Sequence, residues 1–343
     1  MFDFAHNKIL GLDIGSSSVK MVELSKDRAG YTVNSVAILD IPGVAEKSSQ
    51  EENTLRAIQE TLESSDFQAD SVVCGVCGPE VAVRNFKFPP LQRNEIESAV
   101  MLEASQICPF DVTRSTVDYQ LLPDKENNVS GILVAVKNSR IDEKRQIAEG
   151  LSFHNILIDV DGLALINCFN ELEKSEIDRS IAILNVGSSF INLAFIGNGS
   201  PPFIRDMVYA GNGIIKVIAN EVGETPENIK KNLFGKAESE KPEMELAESL
   251  KKGCKKLIVD IKETLRYHRT HTKSAAVEKI FVCGGFALVK GFIEILNDQL
   301  PAEVILWNPL EKISLGGNPL KEKTLREKGP ALAVAAGLAM RTI

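Results

Sequence analysis

Apolar stretches separated by short turns form two similar units of the chain, and the first unit begins at Lys8. There an apolar strand, ILGLDI, is followed by the turn GSSS and a second apolar stretch, VKMVEL, so Lys8 to Glu23 predicts a β-hairpin. Rossmann and P-loop folds instead place a glycine loop at the start of a helix. Because the sequence has neither G-x-G-x-x-G after its first strand nor G-x-x-x-x-G-K-[ST], both folds are disfavoured.

The second unit begins at Ser180 and repeats the plan of the first. The segment SIAILNVGSSFINLAFIG again has an apolar strand, a polar residue, a glycine, small hydroxyl residues and another apolar strand. The two units lie about 170 residues apart, and repeated units of this kind commonly form two facing halves of one fold. We therefore expect an α/β fold with a duplicated core and a cleft between its halves.

The pattern predicts further helices and strands around these two units. Residues 53–65 carry Leu55, Ile58 and Leu62 on one helical face. The next predicted elements are a strand at Ser71 to Gly78, a helix at Asn94 to Ile107 that stops at Pro109, strands at Val117 to Leu122 and Gly131 to Val136, a helix near Asp142 to Gly150 and a strand at Asn155 to Val160. After the second hairpin we expect a charged helical stretch at Thr225 to Thr272, a strand in FVCGG at 281–285 and a closing apolar helix in GPALAVAAGLAM.

Composition and charge limit the class of protein. With 343 residues and 44% hydrophobic residues, the chain is long enough for about two to three domains, each with its own core. Its formal net charge of -8 argues against nucleic-acid binding, which needs a phosphate-neutralising surface. The longest apolar run, Ala331 to Met340, is shorter than the roughly 18 residues that cross a bilayer. We expect a cytoplasmic protein without a signal peptide or a membrane span.

The first hairpin turn carries residues suited to a phosphate group. Gly15 allows a close approach of the backbone, and the successive N–H groups of Ser16, Ser17 and Ser18 can face an anion. Asp13 ends the strand and could hold Mg²⁺ through water, whereas Lys20 could add positive charge beside the phosphates. A glycine-serine hairpin taken alone is more often only a hairpin, so this turn by itself leaves both interpretations open.

Two later glycine-marked loops strengthen the interpretation as a phosphate site. Gly187, Ser188 and Ser189 form a second turn of the same kind, and Gly284 and Gly285 end a strand. Only glycine lets the backbone pack flat against a ligand at such a strand end. Three glycine-marked loops can therefore converge.

Cysteine and histidine patterns offer weaker alternatives. Cys74 and Cys77 form a C-x-x-C pair, but no second pair completes four zinc ligands, so we expect reduced core thiols and keep metal or redox chemistry as the alternative. His268 and His271 have a spacing that could ligate zinc on a helix, but no third ligand is visible.

The three loops resemble those of the actin, Hsp70 and sugar-kinase superfamily. DIGSSSVK resembles the first phosphate loop, NVGSS the second and VCGGFALVKG the adenosine loop, and the resemblance covers essentially the whole chain. It implies an actin-like, ribonuclease H-like two-lobed α/β fold that binds ATP and Mg²⁺. It also places Glu227 and Lys230 of PENIK near the adenosine, adds Gly213 to the nucleotide-binding residues, and gives Asp161 the acidic position between the halves.

The implied nucleotide site therefore has two groups of residues. The implied cofactor-binding residues are Asp13, Gly15, Ser16, Ser17, Ser18, Lys20, Asn185, Gly187, Ser188, Ser189, Gly213, Glu227, Lys230, Gly284 and Gly285. Asp13 and Asp161 would hold the magnesium ion through water. No catalytic residue is assigned, and the same two aspartates are the candidates for such a role.

Within this superfamily, one long segment resembles the PilM family of type IV pilus assembly proteins. The segment is FPPLQRNEIESAVMLEASQICPFDVTRSTVDYQLL. The resemblance implies a small inserted α/β subdomain and a groove beside it that holds the cytoplasmic N-terminal peptide of the inner-membrane protein PilN. Other platform and motor proteins of the pilus and a second copy of the chain are further candidate partners. The chain would then lie at the inner membrane through its partners.

The second phosphate loop departs from the superfamily pattern at two positions. Asn185 stands where an aspartate is usual, and Ser188 stands where actin has an acid. A neutral amide can hydrogen-bond but cannot supply the negative charge that orients an attacking water or the metal's hydration shell. We therefore expect nucleotide binding with slow or no hydrolysis.

Three alternatives share the expected fold. A sugar-type small-molecule kinase would need a catalytic carboxylate near the second loop and usually a longer chain. A filament-forming protein such as FtsA would carry a C-terminal amphipathic membrane helix, and a type II secretion component usually continues into a transmembrane helix. The scaffold interpretation is favoured over all three.

The fold prediction divides the chain into four regions. The first lobe comprises residues 1–78, 156–180 and 330–343, and the partner-binding insert comprises residues 79–155. The second lobe comprises residues 181–215 and 275–329, and a helical subdomain comprises residues 216–274.

Overall fold

A computed structural model describes most of the chain. It describes residues 8–41, 47–64, 67–124, 127–153, 155–176, 179–197, 201–235, 243–272, 275–315 and 319–341. The strands are β1 Ile9–Ile14, β2 Ser18–Lys26, β3 Tyr31–Asp40, β4 Ser71–Val76, β5 Val81–Phe88, β6 Ser115–Leu122, β7 Val129–Lys137, β8 Asn155–Val160, β9 Ile181–Val186, β10 Ile191–Ile196, β11 Phe203–Met207, β12 Lys279–Cys283, β13 Glu303–Leu306 and β14 Ser314–Leu315. The helices are α1 Lys47–Ser64, α2 Ile96–Ile107, α3 Asn138–Gly150, α4 Asp161–Leu172, α5 Gly211–Val222, α6 Pro226–Leu233, α7 Glu243–Gly253, α8 Lys255–Thr272, α9 Phe292–Gln299, α10 Pro319–Lys328 and α11 Ala333–Ala339.

Two sheets that share a five-strand arrangement, with β14 added to the first, form the core of the molecule. The first sheet has the order β14-β3-β2-β1-β4-β8 and the second has the order β11-β10-β9-β12-β13. In each sheet an antiparallel run of three strands is followed by two parallel strands. In β9 every residue except Asn185 is buried, as expected for a strand covered on both faces. The predicted duplication is therefore present as two equivalent sheets, one in each lobe.

The last helix of each half crosses to the other half. Helix α4 follows β8 of the first sheet but packs on β10 and β11 of the second, whereas α11, near the chain's end, packs on β1, β2 and β4 of the first. The helices meet where Gly337 lies against the Ala164 carbonyl, and Gly11 lies against the Ala335 carbonyl, with no room for a Cβ at either glycine. One continuous apolar core therefore joins the two lobes.

A third sheet, β5-β7-β6, forms the insert together with α2. Ile96, Val100 and Ala104 are buried on one face of α2, as their spacing predicts. Helix α3 follows this sheet, but its Ile147 and Ala148 join the core of the first lobe. These contacts favour an end of the insert at β7, and the boundary near residue 155 stays a prediction.

The predicted elements agree with the structure except at a few places. Both hairpins are present, and the predicted helices at 53–65 and Asp142 to Gly150 begin earlier, at Lys47 and Asn138. Several observed elements are not among the predicted ones: strands β3, β5, β11, β13 and β14 and helices α4, α5, α9 and α10. In β5 the exposed Arg84 and Asn85 lie side by side between buried residues, which interrupts the alternation that predicts a strand.

Candidate functional site

The two glycine-serine turns meet face to face between the lobes. Ser17 Oγ lies 2.6 Å from Ser188 Oγ, and Ser189 Oγ donates a hydrogen bond to Ser16 Oγ at 2.7 Å. Within each turn the glycine N–H donates to the carbonyl three residues ahead, at Ser18 and Phe190. The hairpins thus bring the small hydroxyl residues of both halves to one point, as their repeated pattern predicts.

A cleft of about 340 Å³ extends from these turns, and we call it the central cleft. Its volume is within the range of small-molecule sites. Thirteen of the residues expected to bind the nucleotide or its metal ion line it: Asp13, Gly15, Ser16, Ser17, Ser18, Lys20, Asp161, Asn185, Gly187, Ser188, Ser189, Gly284 and Gly285. The structure therefore brings together all three glycine-marked loops and the acidic residue between the halves.

Three residues singled out by resemblance do not line the central cleft. Glu227 and Lys230 are exposed on α6, and Gly213 lies in the first turn of α5 against the Tyr209 ring. The preceding residues of α5 do reach the second turn, because Gly211 and Asn212 donate backbone hydrogen bonds to the Gly187 and Ser188 carbonyls. Contact of Gly213, Glu227 and Lys230 with an adenosine stays a prediction.

The third loop requires glycine for a local reason. Gly284 has φ 94°, a backbone conformation that favours glycine. A Cβ at this position would lie 2.5 Å from both Asn185 Oδ1 and the Val186 carbonyl oxygen. At Gly285, by contrast, an added Cβ would meet no atom within 4 Å. The backbone therefore packs closely on β9 at Gly284 and leaves open space at Gly285.

Asp13 and Lys20 form an ion pair at the edge of the cleft. Lys20 Nζ donates to Asp13 Oδ2 at 3.0 Å, and each side chain is only 14% exposed. The pair spans neighbouring strands of the first hairpin, where the two residues are register partners. Positive and negative charge are thus held side by side next to the first turn, as a phosphate with its metal ion would require.

Asp161 is a buried carboxyl at the first turn of α4. Its Oδ1 atom has no hydrogen-bond partner among the described residues, and the Cys77 thiol lies near this side chain. Burial, and then the nearby Asp13 carboxylate, raise the pKa of Asp161 to about 7. A buried oxygen without a partner beside a second carboxylate fits a hydrated cation, which would lower this pKa.

The donor set fits Mg²⁺ held largely by water and phosphate. Among the residues that the structure describes, no three His, Cys, Asp or Glu side chains come close enough to ligate one metal ion directly. Mg²⁺ usually keeps several waters and takes one or two carboxylates together with substrate phosphates. Asp13 and Asp161 would fill that role here.

A row of hydrogen bonds leads from Asn185 to the start of the insert. Asn185 Nδ2 donates to Asn192 Oδ1 at 2.7 Å, Asn192 Nδ2 donates to Asp206 Oδ1 at 2.8 Å, and Gly78 N donates to Asp206 Oδ2 at 2.6 Å. Burial raises the pKa of Asp206, while the bonds from Asn192 and Gly78 lower it. The amide of Asn185 is thus the first donor of a directed row that ends on a carboxylate.

Helix α3 contributes residues that the sequence interpretation missed. Arg140, Glu143 and Lys144 line the central cleft, and Lys144 Nζ donates to the Ile14 carbonyl at 3.3 Å although this lysine is 2% exposed. A signal was present, because Ile141, Lys144 and Ala148 share one helical face of the sequence. A lysine on the apolar face of a helix indicates a special environment.

The cysteine and histidine residues that are the alternative metal or redox candidates lie in environments different from that of Asp13 and Asp161. Cys74 is fully buried among apolar side chains, and burial raises the pKa of its thiol to about 12. Cys77, in contrast, lines the central cleft. His268 is buried and stacks on Phe195 with ring centroids 4.2 Å apart, and burial lowers its pKa. The side chain of His271 lies outside the described residues.

A duplicated two-lobed α/β core with a glycine-serine turn from each lobe at a common cleft defines an actin-like protein. A family model described as "Type IV pilus assembly protein PilM" matches residues 11–343. The chain therefore belongs to the PilM family of type IV pilus assembly proteins, which confirms the family expected from the sequence.

Comparison with solved structures confirms the fold. The chain is similar to one in a "PilM-PilN type IV pilus biogenesis complex", with a TM-score of 0.81 and 22% identity over 97% of this chain and 98% of that chain. It is also similar to ethanolamine utilization protein EutJ from Carboxydothermus hydrogenoformans, with a TM-score of 0.54 and 13% identity over 96% and 88% of the two chains. A diol dehydratase-reactivating factor in nucleotide-free form has a TM-score of 0.53 and 11% identity over 97% and 99%.

Within the described part of the chain, no helix combines the length and the apolar character needed to span a membrane.

Proposed function

We propose that this chain is an ATP-binding scaffold of the type IV pilus platform at the cytoplasmic face of the inner membrane. In this proposal Mg²⁺-ATP binds in the central cleft, and a groove beside the insert holds the N-terminal peptide of PilN. The observation that carries the nucleotide assignment is the meeting of the two serine turns, with Ser17 and Ser188 only 2.6 Å apart. Facing turns from two lobes supply hydroxyl and backbone donors on both sides of one anion.

Each residue of the cleft has a distinct role in this proposal. Ser16 to Ser18 and Gly187 to Ser189 donate to phosphate oxygens, while Lys20 adds positive charge. Asp13 and Asp161 hold water molecules of the magnesium ion, and the bound ion would neutralise charge on the phosphates. The open space at Gly285 leaves room for the nucleoside.

Hydrolysis is slow or absent in this proposal because the second turn has no carboxylate that could orient an attacking water. Asn185 uses its amide donor on Asn192, and Ser188 carries no charge. The scaffold is then not driven by the free energy that ATP hydrolysis releases. Binding of the nucleotide itself would hold the lobes in one arrangement.

A second cleft, which we call the side groove, supports the peptide assignment. It has a volume of about 480 Å³ and lies between α1, α3 and the start of the insert. Its lining residues are Glu52, Leu55, Glu80, Ser139, Arg140, Asp142, Glu143, Gln146 and Ile147. The similar chain was solved in a complex named for PilM and PilN, and the family match makes the same partner our proposal here.

Calorimetric titration tests both assignments. We expect Mg²⁺-ATP to bind the wild-type protein saturably and Asp13→Ala to weaken that binding about tenfold, since it removes a carboxylate that would hold water of the magnesium ion. Asp298→Ala, an exposed position on α9, is the matched control and should bind as wild type does. A PilN peptide should bind with micromolar or tighter affinity. Turnover of ATP stimulated by a sugar or polyol, without peptide binding, would instead indicate a kinase.

A further inference from the structure

Helix α3 is a shared wall between the central cleft and the side groove. Arg140, Glu143 and Ile147 line both cavities, whereas Lys144 lines only the central cleft. A side chain that borders two cavities can change its partner when either cavity gains a charged ligand. A charged ligand bound in one cavity can therefore change the charge that lines the other cavity through the side chains of α3.

Arg140 is held between two carboxylates. Its Nη1 atom donates to Glu143 Oε2 at 2.6 Å, and its Nε atom lies 3.6 Å from Glu80 Oε2. Glu80 stands just before β5, at the start of the insert, and also accepts a hydrogen bond from Lys137 at 3.3 Å. The Arg140 side chain is 22% exposed, so these contacts are only partly screened by water.

Lys144 brings a second positive charge to the same end of the central cleft. Its side chain is 3% exposed, and its ammonium lies 3.7 Å from Glu143 Oε1 besides its bond to the Ile14 carbonyl. An ammonium has three donors, and Ile14 directly precedes Gly15 of the first turn. The ammonium is thus close to where phosphates meet the first turn.

We propose that Arg140 and Lys144 bind the terminal phosphate of a nucleoside triphosphate and that Arg140 thereby sets the charge of the side groove. This inference rests on the proposed function. A guanidinium forms bidentate hydrogen bonds with phosphate as readily as with carboxylate. When Arg140 turns to the phosphate, Glu80 and Glu143 lose their shared cation. The side groove, which also has Glu52 and Asp142, then becomes more negative.

The sign of the coupling between nucleotide binding in the central cleft and peptide binding in the side groove follows from these charges. A triphosphate should strengthen the binding of a positively charged peptide segment in the side groove, whereas a diphosphate, which lacks the terminal phosphate, should have little effect. Because coupling between two sites is reciprocal, the same peptide should strengthen the binding of ATP by the same factor and leave ADP almost unaffected. The PilN peptide is the ligand of the side groove in this coupling.

The test uses the full chain and three variants. Arg140→Gln removes the charge and keeps much of the side chain, and Arg140→Lys keeps a charge but loses the planar fork. The matched control is Arg326→Gln, on α10, where the arginine side chain is 77% exposed and pairs with Glu322. Circular dichroism confirms folding of each variant before use. The measured quantities are the Kd values of Mg²⁺-ATP and Mg²⁺-ADP and of a fluorescent PilN peptide with each nucleotide.

We expect Arg140→Gln to weaken ATP binding about tenfold, to change ADP binding less than about twofold, and to abolish the difference in peptide affinity between the ATP and ADP states. Arg140→Lys should retain part of both effects, and Arg326→Gln should behave as wild type. Replacement of every lysine and arginine of the peptide by glutamine should abolish the response to ATP in the wild-type protein.

Each contrary result has a separate meaning. If ATP and ADP weaken equally in Arg140→Gln, or if the peptide still responds to ATP, this inference is wrong while the proposed function stands. If the wild-type protein binds neither nucleotide nor peptide, the proposed function fails and this inference fails with it.

Discussion

At the scale of single residues, Asp161 combines burial with a carboxyl group, and this makes the stability of the protein depend on pH. Its pKa of about 7 in the folded protein lies above the ordinary 3.8, so the folded state holds a proton that the unfolded chain has lost. Stability is therefore lost as the pH rises from the ordinary pKa of 3.8 to the folded value of about 7, and the loss is complete above that value.

Removal of this charge should stabilise the free protein at high pH. We expect Asp161→Asn to unfold with a free energy about 2–3 kcal/mol greater than wild type at pH 8, and with an advantage that shrinks to about 1 kcal/mol or less at pH 5. Urea titration at the two pH values measures this difference. Asp298→Asn, exposed on α9, serves as control. An advantage independent of pH would show that the Asp161 carboxyl is not the titrating group.

Asn185 has a structural reason to be an amide. Its Nδ2 atom donates to Asn192, whose own orientation is fixed by the Asp206 carboxylate. Asn185→Asp would place two acceptors against each other and should cost about 1–3 kcal/mol in the free energy of unfolding. Denaturant unfolding measures the cost. A gain in ATP hydrolysis with no loss of stability would instead indicate that Asn185 occupies the position of a catalytic carboxylate.

A double variant tests the direction of this row of hydrogen bonds. In Asn185→Asp with Asp206→Asn, a rotated Asn192 amide can donate to residue 185 and accept from residue 206, whose oxygen still accepts from Gly78 N. The double variant should therefore be more stable than the sum of the two single variants by about 1 kcal/mol or more. Additive effects would contradict the directed row.

At the scale of elements, the close crossing of α4 and α11 depends on Gly337. Alanine at this position has the higher helix propensity, by about 1 kcal/mol, yet its Cβ would run into the Ala164 carbonyl. We expect Gly337→Ala to destabilise the protein by about 1–3 kcal/mol, because backbone atoms cannot give way as a side chain can.

Thermal unfolding of Gly337→Ala measures this effect. Gly150→Ala is the matched control at the end of α3, since the three atoms nearest to its Cβ would belong to the flexible Leu55 side chain, the first at 3.3 Å. It should change the free energy of unfolding by less than about 0.5 kcal/mol. Equal effects of the two substitutions would argue that the helices do not approach as closely as the structure has them.

Local pattern explains which elements could be predicted from the sequence. The two hairpins were predictable because their strands are apolar, their turns are glycine and serine, and the whole unit occurs twice. Strand β5 was missed because Arg84 and Asn85 interrupt its alternation. The position of β5 is determined by its pairing with β7 in the sheet of the insert. This long-range contact is not contained in a short window of the sequence.

The same difference between local sequence pattern and long-range packing explains which residues of the candidate site could be predicted. Residues in the glycine turns carry a recognisable motif, and all of them line the central cleft. Arg140 and Lys144 belong to a helix that the motif does not include, and they reach the cleft only because α3 packs on β4 and β8. Glu227 and Lys230 show the opposite case, since their assignment came from resemblance and the structure leaves them exposed on α6.

At the scale of the whole molecule, the contact between the two turns reports on the arrangement of the lobes. In the double variant Ser17→Cys with Ser188→Cys, the sulfur atoms would replace hydroxyls that lie 2.6 Å apart, close to the length of a disulfide bond. We expect a mild oxidant such as oxidised glutathione to form this disulfide readily without nucleotide, and its formation to slow about fivefold or more with Mg²⁺-ATP, because phosphates would lie between the turns.

Mobility on a non-reducing gel, with mass spectrometry of the linked peptides, follows this reaction. Each single cysteine variant is a control, because the described native cysteines are mostly buried. A rate of disulfide formation that does not change with nucleotide would argue against phosphate binding between the turns.

The exchange of helices between the lobes has a consequence during protein synthesis. The ribosome releases the first hairpin early, but the sheet that contains it is covered by α11, residues 333–339, which emerges more than 300 residues later. At about 5–20 residues per second, β1 would wait on the order of a quarter of a minute to a minute for that cover. The nascent first lobe would therefore expose an apolar sheet face throughout translation, which is a surface that molecular chaperones recognise.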